Sequence, residues 1–398
     1  MILCESAVPT LAPGLPLSGS VRNGFGPAEQ PIELTAKGKK DFQMSQDVQT
    51  QKRSAEESVT QLIAYKTGVV DSMIGLYSRF ESVLIELFGA GASDTGRIIT
   101  GGIVTPEVQL AIDKAGKSCL ETVGASPFSS DIDALLAAIS TSSETIFVSN
   151  PNRISGADWS LSDLEEIVQA IPDGLLIIDE FYHDYYGISA DPLLTKYTNI
   201  VILRSPAPAL GLPGNCGYLL GSPYAIERLR QARVLGISAD VDLTLLTECV
   251  YDTERLYNRL RTLHQEALRM MGDLTRLGFQ CRLTPFDRLI VKVASPAPAG
   301  DLLASRKVEV ENLDGYPGLK NQIRIAIAGP DKNDRTLEAF RSLAESGITS
   351  RRQPRRTLEL KRTAEKSDLD ALLLPPARNE RLSAYVTGNP DPEKAVSR

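Results

Sequence analysis

The chain contains 398 residues, of which 42% are hydrophobic and 23% are charged. This composition is typical of globular proteins, and the length is sufficient for two or more domains. The net charge of −7 argues against nucleic acid as a partner, because nucleic-acid-binding proteins usually present a basic face. No apolar run approaches the ~18 residues of a membrane span, and no basic segment precedes an apolar one at the N-terminus. We therefore expect a soluble cytoplasmic protein with no membrane partner.

The five cysteines and two histidines are scattered along the chain. They form no CxxC pair and no spacing of the kind that binds zinc, so no metal site is predicted. A disulfide framework is not indicated either, and reduced thiols are expected.

The first half of the chain begins with an irregular segment. Residues 1–50 are rich in proline, glycine and serine and show no sustained helical period, which predicts an extended N-terminal arm. From residue 54 to 91 apolar residues recur at helical spacing and predict two helices flanking a short strand. Further on, Ser160 with Asp163 three residues later predicts a helix start by a variant of the capping box.

Two apolar runs in the middle of the chain have the length and β-branched content of buried parallel strands. They are Leu175 to Ile178 and Ile200 to Leu203, and each ends abruptly in polar or turn-forming residues. Because ligands of open α/β sheets bind at the carboxyl ends of parallel strands, we expect the functional residues to follow these two runs.

The C-terminal part is predicted to be helical first and mixed afterwards. A continuous helical pattern runs from Leu243 to Leu277, and three strands are predicted after it, around residues 289–293, 308–313 and 322–328. Residues 346–398 form a charged tail that is predicted to be flexible, with a docking helix around its apolar patch Leu369 to Leu374 as the alternative.

The residues after the two buried strands carry a resemblance to a known family. The first strand ends in Asp179-Glu180-Phe181-Tyr182, and the segment after the second strand matches a family motif, Arg-Thr-x-Ser-Lys-x-x-Gly-Leu-x-Gly, at Arg204, Ser205, Gly211, Leu212 and Gly214. This pattern resembles the histidinol-phosphate aminotransferase branch of the fold-type I pyridoxal-phosphate (PLP) enzymes.

The resemblance implies an α/β fold with two domains. We expect a large domain with a mainly parallel sheet over residues 51–238 and a small α+β domain over residues 239–345. Homodimerisation is implied as well, because relatives complete each pocket with residues of the neighbouring subunit.

The resemblance also assigns roles to individual residues. Asp179 is implied to pair with the protonated pyridine nitrogen of PLP, and Tyr182 to contact its phenolic oxygen. Arg324, in a segment that resembles the closing motif of the family, is implied to hold the substrate carboxylate. Asn152 and Ser205 match other pocket positions of the family.

Several residues depart from the family pattern. The lysine that forms the Schiff base is Pro208 here, and proline has no side-chain amine. Ala207 replaces a phosphate-binding serine, and Arg153 replaces the asparagine that contacts the phenolic oxygen. The Gly-Ser-Asp turn that holds the phosphate is replaced by residues 77–81, and residues 97–127 contain no aromatic ring to stack on the pyridine. PLP is therefore implied by resemblance, but its covalent binding is not expected.

Three functions are compatible with these residues. The first is a non-transaminating homologue that binds an amino-acid-like small molecule or has a regulatory role. The second is an enzyme that uses the pocket for PLP-independent chemistry on an amino acid or its phosphate ester, with Asp179, Glu180, Tyr182 and His183 as acid or base groups. The third is an aminotransferase that binds PLP or its amine form without a covalent bond. If a small molecule binds, we expect its carboxylate to meet Arg324 and a basic or hydrogen-bonding group of the ligand to meet Asp179.

Overall fold

The computed structural model describes residues 55–90, 95–186, 189–212, 216–236, 240–284 and 287–346. The predicted N-terminal arm and the predicted tail beyond residue 346 lie outside these ranges, as does Gly214. The division of the chain at about residue 238 into a large and a small domain stays a prediction.

Seven strands form the first sheet, in the order β1-β7-β6-β5-β4-β2-β3. β7 runs antiparallel to both of its neighbours, and the other pairs in this sheet are parallel. The expected mainly parallel α/β architecture is thus confirmed. The strands are β1 (Ile74–Tyr77), β2 (Arg97–Gly101), β3 (Ser118–Thr122), β4 (Thr145–Ser149), β5 (Leu175–Asp179), β6 (Ile200–Arg204) and β7 (Gly217–Gly221).

Helices cover both faces of this sheet, which is why its central strands are buried and mostly apolar. On β5, Leu176 and Ile178 join one apolar cluster and Ile177 joins the other, as the alternation of side chains along a strand requires. The predicted capping box between Ser160 and Asp163 is confirmed. The helices are α1 (55–67), α2 (Phe80–Ala90), α3 (Pro106–Lys114), α4 (Ile132–Ala138), α5 (Leu161–Ala170), α6 (His183–Tyr186) and α7 (Pro223–Gln231).

The long helical region is divided into two helices, α8 (Asp240–Tyr251) and α9 (Thr253–Arg276). The prediction of one continuous pattern was wrong at Asp252, because its carboxylate accepts a hydrogen bond from the amide of Arg255 at 3.0 Å and starts α9 as an N-cap.

A second sheet has four strands in the order β10-β11-β9-β8, and all its pairs are antiparallel. The sequence predicted three strands and missed β8, because β8 is an edge strand whose Gln280 and Arg282 are exposed and interrupt the apolar run. The remaining elements are β8 (Gln280–Leu283), β9 (Arg288–Lys292), α10 (Pro296–Ser305), β10 (Val310–Asn312), β11 (Gln322–Ala326) and α11 (Pro330–Glu345).

A buried carboxylate joins α9 to α11 beside this second sheet. Glu266 accepts hydrogen bonds from Arg269, at 3.0 and 2.6 Å, and from the side-chain amide of Asn333 at 2.8 Å. These donors, Arg269 foremost, lower the pKa of Glu266 against the opposing effect of burial. The ionised carboxylate therefore stabilises the folded chain.

We expect the replacement Glu266→Gln to destabilise the protein at neutral pH and to lose this effect in acid. A carboxyl group with a lowered folded-state pKa contributes stability above its unfolded pKa of about 4.3, and that stability is lost as the pH falls through the folded-state value. Urea unfolding of both proteins between neutral pH and about pH 3 measures the difference. Glu248→Gln, at an exposed ion pair with Arg255, is the control that should change little. A constant difference at every pH would contradict this assignment.

Candidate functional site

The candidate site lies where three neighbouring parallel strands end. Ser149 at the end of β4 is in register with Asp179 at the end of β5, and Asp179 is in register with Leu203 on β6. The loop after β4, the turn after β5 and the segment after β6 therefore meet at one edge of the sheet, as the sequence predicted.

Asp179 is buried, and its carboxylate accepts four hydrogen bonds from groups of the same chain. Arg153 donates twice in a forked arrangement, from Nε to Oδ2 at 2.5 Å and from Nη2 to Oδ1 at 2.9 Å. The hydroxyl of Ser149 and the amide of Phe181 donate the other two bonds, each at 3.1 Å. Since a carboxylate has about four acceptor positions, these four bonds saturate Asp179.

The guanidinium of Arg153 lies in a corner of aromatic rings. Its Cζ atom is 4.2 Å from the ring centroid of Phe80 and 3.9 Å from that of Phe181, both of which are distances of a cation–π contact. A further ion pair joins Nη1 to Glu107 at 3.3 Å. Burial opposes the charge on Arg153, but the Asp179 carboxylate raises the pKa of the guanidinium above its ordinary value. Arg153 is thus a buried cation that the site itself neutralises.

Arg324, on β11 of the second sheet, is also engaged within the chain. Its Nε donates to the carboxylate of Glu311 at 2.9 Å, and its Nη2 contacts the same oxygen at 2.5 Å. Its Nη1 donates to the backbone carbonyls of Arg153 and Ile154. Arg324 therefore connects the second sheet to the loop that carries Arg153, and the carboxylate it holds is one of the chain's own.

Asn152 and Ser205 hold the backbone at this edge of the sheet. The side chain of Asn152 donates to the carbonyl of Ile103 at 2.8 Å and accepts from the amides of Ile154 and Ser155, each at 3.1 Å. The hydroxyl of Ser205 donates to the carbonyl of Cys216 at 2.9 Å. Both side chains are buried, and these bonds shape the loops around Asp179.

Tyr182 and Pro208 lie on the segments that follow β5 and β6. The ring centroid of Tyr182 is 5.1 Å from that of Phe181, and burial raises the pKa of its phenol. Pro208 begins a 3₁₀ turn, and its carbonyl accepts a hydrogen bond from the hydroxyl of Tyr185 at 2.6 Å. The phenol of Tyr185 thus contacts the backbone at the position where the resemblance implies a lysine.

Glu180 and Arg204 form a second buried ion pair beside the site. Arg204 donates from Nε to Glu180 at 2.9 Å and also contacts Ser189 and Asp191. His183 Nδ1 lies 3.7 Å from the same Glu180 oxygen. Burial raises the pKa of Glu180, although Arg204 and the hydrogen bonds of residues 189 and 190 oppose this effect. This network fixes the turn after β5.

Sequence reasoning noted Arg153 but missed three of its partners and one partner of Arg324. Phe80 and Phe181 stack on Arg153, Glu107 pairs with it, and Glu311 pairs with Arg324. A weak signal was available at Phe80 alone, which stands in the segment that replaces the Gly-Ser-Asp turn. Phe181, at a variable position of the strand-end motif, gave none.

Two kinds of feature are absent from the described ranges. No cluster of three or more histidine, cysteine, aspartate or glutamate side chains suited to a metal ion occurs among the described residues. Within the same ranges, no helix is long and apolar enough to span a bilayer.

Solved structures of two aminotransferases and one decarboxylase share this fold. The histidinol-phosphate aminotransferase of Clostridium acetobutylicum superposes with a TM-score of 0.64 at 16% identity, covering 72% of this chain and 88% of that one. The histidinol-phosphate aminotransferase of Sinorhizobium meliloti, solved in complex with pyridoxal-5′-phosphate, superposes with a TM-score of 0.63 at 19% identity. The match covers 73% of this chain and 82% of that one. The L-threonine-O-3-phosphate decarboxylase of Porphyromonas gingivalis superposes with a TM-score of 0.60 at 15% identity. The match covers 72% of this chain and 88% of that one. At these identities the likeness concerns the fold alone.

Sequence comparisons identify the family. Histidinol-phosphate aminotransferase 1 of Burkholderia lata is 30% identical over 222 residues, covering 53% of this chain and 60% of that protein. This chain therefore matches less than two thirds of that relative's length. Histidinol-phosphate aminotransferase 2 of Haemophilus influenzae is 25% identical over 289 residues, covering 70% of this chain and 78% of that protein. The family model for aminotransferase class I and II matches residues 120–340. With more than half of its length matched, the chain belongs to the aminotransferase class I and II family.

Proposed function

We propose that this chain is a non-transaminating member of its family, which acts by binding or regulation and does not hold PLP covalently. The observation that carries the proposal is the saturation of Asp179 by Arg153, Ser149 and the amide of Phe181. The resemblance implies that the equivalent carboxylate of relatives pairs with the pyridine nitrogen of PLP. Here this carboxylate pairs with an arginine of the same chain.

The residues around Asp179 do not fit PLP. A protonated pyridine nitrogen would need a carboxylate oxygen that Arg153 occupies, and the guanidinium fills the space beside that carboxylate, against Phe80 and Phe181. Pro208 offers no amine for a Schiff base. These three features support the non-transaminating function over an aminotransferase that binds the cofactor without a covalent bond.

The second alternative, PLP-independent catalysis, receives less support from the same geometry. Glu180 is bound by Arg204 and by the amide of Ala190 at 2.7 Å, and Asp179 is bound by Arg153. A general base must be able to accept a proton from a substrate, and both carboxylates are instead engaged in buried ion pairs. Binding or regulation is the role that leaves these pairs intact.

We expect the purified protein to form no aldimine with PLP. Titration with PLP should give no absorbance band of a protein aldimine, and borohydride treatment followed by mass spectrometry should find no adduct on a pocket lysine. Transfer of an amino group from glutamate to 2-oxo acids should be undetectable. A reducible adduct mapped to a lysine beside Asp179 would overturn the proposed function.

The variant Pro208→Lys is expected to remain without aldimine and without transaminase activity. This substitution restores the amine, but Arg153 still occupies the oxygens of Asp179 and still packs against the ring of Phe181. The same spectroscopic titration measures the result, and the wild-type protein is its control. Formation of a PLP aldimine in Pro208→Lys alone would show that the lysine is the single missing element.

An amino-acid-like ligand is proposed to meet Arg324 by displacing Glu311. The Glu311 carboxylate is 40% exposed, so its replacement by a free carboxylate costs little, while the carbonyls of residues 153 and 154 keep Arg324 in place. We expect Glu311→Ala to bind glutamate or a 2-oxo acid roughly tenfold more tightly than the wild type in calorimetry, and Arg324→Ala to bind at least about tenfold more weakly. Unchanged affinity in both variants would remove Arg324 from the site.

A further inference from the structure

We infer that the aromatic corner, defined as the rings of Phe80 and Phe181 with the carboxylate of Asp179, is a binding site for a small flat cation that Arg153 occupies from within the chain. This inference deepens the proposed function and rests on it, because it names the chemical group for which the site is built.

The hydrogen-bond geometry selects a guanidinium over a simple ammonium ion. Nε and Nη2 of Arg153 point to different oxygens of Asp179, so two parallel bonds join a planar cation to a planar carboxylate. An ammonium ion is a point charge without this fork. The two rings add cation–π contacts on the flanks of the guanidinium.

The walls of the corner are held independently of the Arg153 side chain. Phe80 begins α2 and is buried, and Phe181 is the second residue after the end of β5. Their rings meet edge to face, with centroids 6.1 Å apart and planes at 69°. Ser149 and the amide of Phe181 orient the carboxylate. Removing the arginine side chain should therefore leave a preorganised site, which lowers the cost of binding a free cation.

The covalent attachment of Arg153 to the chain explains why added cations should not enter the wild-type site. Arg153 is attached to a loop whose carbonyls at residues 153 and 154 accept hydrogen bonds from Arg324. A tethered group acts at an effective concentration of the order of millimolar or higher, and a free ligand must compete with it. The site is thus closed to ligands in trans as long as this side chain is present.

A second arginine of the chain provides a matched control. The Cζ atom of Arg282 lies 4.2 Å from the ring centroid of Phe128, a cation–π distance like those of Arg153. Residue 282 is exposed, in contrast to the buried Arg153. Truncating Arg282 removes an arginine–aromatic contact without opening a buried site.

The experiment compares Arg153→Ala, Arg282→Ala and the full-length wild-type chain in thermal unfolding with methylguanidinium or methylammonium added. For Arg153→Ala we expect a saturable stabilisation by methylguanidinium that reduces the unfolding constant about 11-fold at ten times the dissociation constant. Methylammonium should stabilise it less, and neither salt should stabilise the wild type or Arg282→Ala. Equal responses of all three proteins would overturn the inference.

A measurement on the wild-type protein keeps the inference testable if Arg153→Ala does not fold. The Nε–H group of Arg153 should give an NMR signal that exchanges slowly with water and shows nuclear Overhauser contacts to the ring protons of Phe80 and Phe181, and the signal should be absent in Arg153→Lys. A fast-exchanging signal without these contacts would overturn the inference. Neither measurement involves PLP, so failure here is distinguishable from failure of the proposed function, which a reducible PLP adduct alone reports.

Discussion

The variant Arg153→Ala is expected to lower the free energy of unfolding by about 3–5 kcal/mol, which is the usual cost of removing one partner of a buried ion pair. The side chain is only 8% exposed, and it neutralises Asp179, whose side chain is 0% exposed. Without it, the Asp179 carboxylate is left buried without a cationic partner. Urea denaturation at neutral pH measures the loss.

A second substitution separates the charge effect from lost packing. In the double variant Arg153→Ala with Asp179→Asn, the uncompensated charge is removed, so we expect it to be more stable than Arg153→Ala alone. Arg282→Ala, which breaks a cation–π contact at an exposed residue, should cost no more than about 1 kcal/mol. A double variant with the summed losses of both single variants would show that Arg153 and Asp179 are not coupled.

The variant Arg204→Met is expected to destabilise the protein by a similar amount, about 3–5 kcal/mol at neutral pH. Arg204 is buried, with 3% of its side chain exposed, and it is the guanidinium partner of Glu180. Burial already raises the pKa of Glu180, and loss of the opposing charge raises it further. Glu180 must then either stay charged without its partner or take up a proton.

This substitution has a characteristic pH dependence. A carboxyl group whose folded-state pKa is raised contributes stability below its unfolded pKa, and this stability is lost as the pH rises through the folded-state value. The destabilisation by Arg204→Met should therefore be smaller near pH 5 than at pH 7–8. Lys196→Met, at an exposed ion pair with Glu165, is the control, with an expected cost of less than about 1 kcal/mol. A loss that is larger in acid would contradict the role of Glu180.

The chemistry around Asp179 connects the two stability predictions to function. Arg153 and Arg204 neutralise successive carboxylates, Asp179 and Glu180, at the end of β5. Both ion pairs are internal to the chain, and both involve a group that would otherwise be available to a ligand. The same pairs that stabilise the fold thus occupy both carboxylates, which argues against transamination and supports the proposed non-transaminating function.

The local pattern of the sequence determined much of the fold. Buried apolar runs specified β5 and β6, because a strand covered on both faces must be apolar along most of its length. The capping box at Ser160 specified the start of α5, because its hydrogen bonds lie within one turn. The edge strand β8 and the break at Asp252 escaped prediction, since their signals are single polar residues within longer patterns.

The sequence by itself also determined that Pro208 cannot form a Schiff base and that the strand-end residues belong to the aminotransferase pattern. Only the tertiary structure decided what the remaining site residues do. Arg153 lies 26 positions from Asp179, and Glu311 lies 13 positions from Arg324, and no local period links either pair. A buried charge is stable only beside a partner of opposite sign, and the partner is chosen by the positions that the folded sheets bring together. For this reason the sequence indicated a pocket, and the fold showed that the protein's own side chains fill it.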